Sequence, residues 1–99
     1  MRYRTTAGFD AALAKLPREH RKMFIGTVRA YLMPALAAGA HRGETRWPKR
    51  LRVHKIDEVY SLTWSFASPD GRALFTISPD RDGEPLPTWL AIGYHDICQ

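Results

Sequence analysis

Six cations crowd into one short segment in the middle of this chain. Residues 42–55, RGETRWPKRLRVHK, hold Arg42, Arg46, Lys49, Arg50, Arg52 and Lys55 against Glu44 alone. The formal net charge is +5, and outside this segment nine basic residues balance nine acidic ones, so the excess is a single stripe. Charge concentrated in this way selects a polyanion as partner. Arg50, Arg52 and His54 fall on alternate positions, so a strand would set them on one face to track a phosphate backbone, with Lys49 and Lys55 at its ends. His54 adds a side chain that can exchange a proton near neutral pH.

The other reactive side chains are sparse. The four histidines share neither a helical face nor an HxH spacing, so no metal site is expected, and no cofactor either. His20 and His41 lack supporting context and read as surface residues. Arg72 stands just after a turn beside Asp70, where an arginine is commonly exposed or ion-paired. Cys98 is the one cysteine, so an intramolecular disulfide is excluded and a reducing compartment is expected. No apolar run approaches the ~20 residues of a membrane span, and the first residues, MRYRTT, lack a signal-peptide apolar region. The expectation is a cytoplasmic protein without a membrane partner.

At 99 residues, with 44% hydrophobic and 25% charged, the chain has the size and composition of one globular domain. Folding at this length buries roughly 60–70% of the unfolded surface, which leaves little room for a deep pocket and directs function to an open face or shallow groove.

The elements that must position these residues follow from periodicity. Met1 to Thr5 reads as a short edge strand. Thr6 can cap a helix over Ala7–Leu16 that sets Phe9, Leu13 and Leu16 on one face, and Pro17 ends it and opens the next. That second helix carries Phe24, Val28, Tyr31, Leu32 and Ala35 as its apolar stripe, with a kink or break expected at Pro34 and a stop at Gly39. The period then becomes two. Arg50 to His54 is expected as a strand with one basic face, and Val59 to Phe66 as another, with Tyr60, Leu62, Trp64 and Phe66 on one side. Ser68-Pro69-Asp70-Gly71 has the pattern of a type I turn, returning the chain through Arg72 to Ile77. A polar loop, SPDRDGEPLPT, leads to a last strand from Trp89 to His95, on which Trp89, Ala91, Gly93 and His95 would share a face. Trp89 is weighed there as a core residue first and a base-stacking one second. Helices followed by strands is an α+β order: two N-terminal helices on one face of a largely antiparallel, four- to five-stranded sheet.

Three segments carry a family resemblance. GRALFTI (71–77) places an arginine before alternating apolar residues, LAIGYHDIC (90–98) leads through a glycine to a basic residue near the C-terminus, and VYSLTW (59–64) precedes that arginine. In this order they resemble the RelE/ParE superfamily of small bacterial toxins, VYSLTW in particular the branch that includes the HigB-type toxins. The resemblance implies a RelE-like fold and a type II toxin that cuts mRNA, usually on the ribosome, and is held inactive by a cognate antitoxin protein.

Metal-free RNA cleavage needs a base for the 2′-hydroxyl, positive charge at the crowded phosphate, and an acid for the departing 5′-oxygen. The resemblance carries the family's arginine to Arg72, whose guanidinium would hold phosphate oxygens, and its terminal basic position to His95, as acid or base. His54 is the second acid/base candidate, and Lys49, Arg50, Arg52 and Lys55 are the RNA-binding set. Cys98 stands where many ribosome-dependent members have a tyrosine, and Asp57 and Glu58 bring negative charge near the stripe. Two other classes of function fit the same chain. One is a non-enzymatic gyrase inhibitor like the ParE branch, the other a plain RNA-binding domain.

Overall fold

The structure is a computed structural model that describes residues 2–66 and 70–94. Along the chain run β1 (Arg4–Thr5), α1 (Ala7–Lys15), α2 (Arg18–Thr27), a π-helical turn (Val28–Leu32), α3 (Met33–Ala37), two 3-10 turns (Ala40–Arg42 and Lys49–Leu51), β2 (His54–Ile56), β3 (Val59–Ser65), β4 (Gly71–Pro79) and β5 (Pro85–Tyr94). The class is α+β, with helices preceding most of a five-stranded sheet of order β1-β5-β4-β3-β2. β2 through β5 form an antiparallel meander, and β1 joins β5 in parallel, so the sheet is mixed.

Thr6 starts α1 as its type and position imply. Its backbone is extended, its side-chain oxygen accepts from the Phe9 N–H at 3.2 Å, and its own N–H donates to the Trp89 carbonyl, so one residue caps the helix and ties it to β5. At the other end Arg21 Nη1 donates to the carbonyls of Leu16 and Ala14, satisfying acceptors that the end of α1 leaves open. Pro34 lacks an N–H and its ring would crowd the carbonyl one turn back. The helix answers by widening rather than breaking: the Met33 N–H reaches back to the Val28 carbonyl across the π turn, and Pro34 sits in the first turn of α3. Gly39 then adopts φ +84°, and a Cβ there would lie 2.0 Å from Glu44 Oε1.

The core is aromatic. Phe9 and Phe24 pack their rings 5.8 and 5.0 Å from Trp89, which continues through Phe75 to Tyr60 at centroid spacings of 5.0 and 5.3 Å. Leu32, Leu36, Leu51 and Leu62 are fully buried beside them. The sequence stripe Phe24, Leu32 and Ala35 is buried, with Val28 and Tyr31 partly so.

Three expectations about strands are corrected. The edge strand is two residues, Arg4–Thr5. Arg50 to His54 is not a strand: Pro48 leads into a 3-10 turn, Arg52 takes the left-handed region at φ +45°, and pairing begins only at His54. The apparent alternation arises because Leu51, completely buried, anchors that turn between two exposed arginines. The last strand begins at Pro85, not Trp89. Its prolines lie where β1 does not pair, since β1 meets β5 only at Thr88 and Trp89, so their missing donors leave the β1 ladder intact. Within the β4–β5 loop Asp80 Oδ1 accepts from the Asp82 and Glu84 N–H groups at 2.8 and 2.9 Å. Burial alone would raise that carboxyl, but these two bonds and the charges of Arg2 and Arg81 hold it below its ordinary range. The expected type I turn, 68–71, includes residues 68 and 69, which lie outside the described residues.

Candidate nucleic-acid interface

Residues directly opposite on paired strands share a sheet face, and successive residues alternate. One set of rows, Lys55–Tyr60–Phe75–Trp89 and Leu62–Ala73–Ile92, belongs to the core face. The intervening rows, His54–Ser61–Leu74–Ala91 and Thr63–Arg72–Gly93, therefore belong to the opposite face. Arg72 lies in the middle of that face, with Thr63 across on β3 and Gly93 across on β5.

Two register shifts produce this arrangement. Between β4 and β5, Leu74 pairs with Ala91 while Phe75 pairs with Trp89, so Leu90 is an extra residue. Trp89 is thereby turned into the core, 3% exposed, whereas Ala91 and Gly93 side with Arg72. The expectation that Trp89 shares a face with Ala91 and Gly93 is thus corrected, while its reading as core holds. Between β3 and β4 the shift falls at Trp64. Its indole packs beneath Gly71, where a Cβ would stand 2.5 Å from the ring, and its Nε1–H donates to the Arg72 carbonyl at 3.0 Å. The backbone that presents Arg72 is fixed from the core side.

The Arg72 guanidinium is ion-paired with Asp70 at 3.6 Å, as its place after a turn suggests, and its side chain is 15% exposed. Its Nε is buried without a hydrogen-bond partner among the described residues, and so is the hydroxyl of Thr63 across the strand. Two adjacent polar side chains with unspent donors among the described residues, with Gly93 across from Arg72 on β5, form a small anion-binding geometry.

The cations of the stripe do not share one face. Arg42 is bound to Glu44 by two contacts of 2.9 Å. Arg50 lies over the Tyr31 ring at 4.2 Å and donates to its hydroxyl, Arg52 lies over Phe66 at 5.0 Å, and Lys55 over Tyr60 at 5.3 Å on the core side. Lys49 is exposed on the 3-10 turn, which packs against β3. His54, exposed at the edge strand, shares the face of Arg72. Asp57 and Glu58 form the two-residue β2–β3 turn, at the far end of β3 from Phe66 and about 20 Å away by strand rise.

His95 and Cys98 lie outside the described residues. His20, read as a surface residue, is drawn in: its Nδ1 is 2.7 Å from the Tyr94 hydroxyl, and its ring packs edgewise on Trp64 and Tyr94. Phe66, expected on the strand's apolar side with Tyr60, Leu62 and Trp64, instead follows the end of β3 and is exposed, while Thr63 and the His20–Tyr94 pair depend on register or on a contact across the fold that no local pattern marks. His41 also has a buried, unpartnered Nδ1, and burial together with Arg42 lowers its pKa against an opposing pull from Glu44. Among the described residues no three His, Cys, Asp or Glu side chains converge as a metal site would require, and no helix is long and apolar enough to cross a membrane.

No family model, curated protein or solved structure matches this chain.

Proposed function

We propose that this protein is a toxin of a type II toxin–antitoxin pair, a metal-free endoribonuclease of RelE/ParE type that binds mRNA on the translating ribosome across the sheet face opposite its aromatic core. The observation that carries the reading is Arg72: half-buried at the centre of that face, with an unspent Nε donor and Thr63 and Gly93 on either side. In support of a RelE-like arrangement, Phe9 of α1 and Phe24 of α2 pack on Trp89 of β5.

In the reaction a 2′-hydroxyl attacks the adjacent phosphorus and the 5′-oxygen departs. Arg72 exchanges Asp70 for the phosphate oxygens and offsets the charge that builds on them. His54 is the acid or base on the same face, roughly 12 Å from Arg72 by strand spacing and rise, a span that the two side chains bridge toward one phosphate. His95 retains the partner acid/base role that the family resemblance implies. Lys49, Arg50, Arg52 and Lys55 attract the RNA from the rim of the sheet, each from its own side and not as one row. The antitoxin is expected over the basic stripe or the ≈ 550 Å³ groove between α1 and α2, which Leu13, Phe24, Val28 and Met33 line.

A plain RNA-binding domain is the second reading, favoured by the Asp70–Arg72 pair, which leaves Arg72 engaged in the free protein. Primer extension on a reporter mRNA in a cell-free translation reaction separates the two. Discrete cleavage that Arg72→Ala abolishes, and that His54→Ala or His95→Ala slows at least a hundredfold, supports the nuclease. An intact message overturns it and sends the test to RNA binding and to gyrase supercoiling.

A further inference from the structure

Phe66 is a large apolar residue left 46% exposed one position beyond the end of β3. Arg52 lies over its ring with 5.0 Å between guanidinium and centroid. A guanidinium above an exposed ring shields that ring from water, and this alone accounts for the contact in many proteins. Three further observations point past shielding. Arg52 has no carboxylate partner among the described residues, so its charge is uncommitted. Its backbone is held in the left-handed region at φ +45°, uncommon for a non-glycine residue, by the Arg52 N–H to Lys49 carbonyl bond at 3.1 Å that closes the 3-10 turn. And Phe66 follows Ser65, which pairs with Gly71, so the ring's backbone lies within about 10 Å of that of Arg72.

We propose that Phe66 and Arg52 form a clamp for one unpaired nucleobase of a single-stranded RNA whose neighbouring phosphate is held at Arg72. The inference rests on the RNA reading above and deepens it by naming the substrate class: RNA with splayed bases and not a duplex. Aromatic rings and guanidinium planes are the two surfaces on which unpaired bases stack, and stacking reads no sequence because every base has a π face. In a duplex the base is already stacked and cannot enter. The surrounding charge fits an anionic chain, with Lys49 and Arg50 next to Arg52 in sequence and Arg72 on the adjoining strands.

The test is binding of a single-stranded octaribonucleotide carrying one 2-aminopurine, followed by anisotropy and by 2-aminopurine fluorescence over a series of salt concentrations. The full chain is compared with Phe66→Leu, Phe66→Tyr and Arg52→Ala, each checked for an unchanged melting temperature. Phe66→Leu keeps an apolar side chain without a π face, so affinity should fall about tenfold with the salt slope unchanged, and the fluorescence change on binding should be lost. Phe66→Tyr should restore both. Arg52→Ala should weaken binding and flatten the slope by roughly one phosphate contact. Salt-dependent binding by the wild type that Phe66→Leu leaves intact, or equal affinity for an octamer abasic at every position, overturns the clamp and leaves the RNA reading standing. No salt-dependent binding by the wild type overturns both, and would make the exposed ring a contact for a protein partner.

Discussion

The two faces of this sheet are made by alternate residues of the same strands, yet they are built to opposite rules. On the core face Tyr60, Phe75 and Trp89 form a continuous aromatic row that Phe9 and Phe24 extend, and the Trp64 N–H finds a carbonyl. On the opposite face Thr63 and Arg72 sit side by side with buried donors that have no partner among the described residues. An unsatisfied buried polar group costs on the order of 1–3 kcal/mol. A fold that satisfies its donors on one side and leaves two adjacent ones open on the other concentrates that cost where an anion would relieve it. Under the proposed function, stability and RNA binding fall to different faces, and substitutions can test the division.

The largest effect is expected on the core face. Phe24→Ala removes a ring that touches both Trp89 and Trp64, and should lower stability by about 3–5 kcal/mol in urea unfolding. A loss below about 1 kcal/mol would mean that the aromatic row does not carry the fold. Next comes the junction of the two faces. Gly71→Ala forces a methyl into the Trp64 indole and should destabilise by about 1–3 kcal/mol, disturbing the Arg72 backbone through the same ring, so RNA binding should weaken with it. On the opposite face the sign should reverse. Thr63→Val replaces an unpartnered buried hydroxyl by a methyl, and thermal melting should show a gain of roughly 1 kcal/mol while RNA affinity falls. Parallel loss of both would place a structural hydrogen bond at Thr63 instead.

The smallest effect serves as a control. His41 has another buried atom without a partner among the described residues, in the 3-10 turn after α3. Its pKa is lowered in the fold, chiefly by burial, so the unfolded chain takes up protons first as pH falls below about 6.5. Its contribution is complete above that value and is lost on acidification. Stability measured from pH 7.5 to 5.5 should decline, and His41→Gln should flatten that decline without changing RNA affinity. A change in affinity would mean that the interface extends to the loop.

Much of this was legible because some segments state their structure locally. Thr6 before an apolar face, the strict alternation of Val59 to Ser65, and Gly39 after the helical stripe each fix an element through neighbours a few residues away. The basic stripe was legible as charge and not as geometry. Arg50, Leu51 and Arg52 alternate as a strand would, but Pro48 and the burial of Leu51 make a turn of them, and the cations leave for different rings. The site itself depends on the two register shifts, at Trp64 and at Leu90, which exist only in relation to a partner strand. That is why Thr63 gave no signal, why Phe66 reads in the sequence as part of the row of Tyr60, Leu62 and Trp64, and why His20 meets Tyr94 across 74 positions without any local mark.

The most direct test of the division between faces is one variant measured twice. Arg72→Ala should melt within about 1 kcal/mol of the wild type, as expected for a residue whose ion pair with Asp70 is partly exposed, yet lose at least tenfold in affinity for single-stranded RNA with a shallower salt dependence. A variant that unfolds in proportion to its loss of binding, or one that binds RNA as the wild type does, would contradict the account.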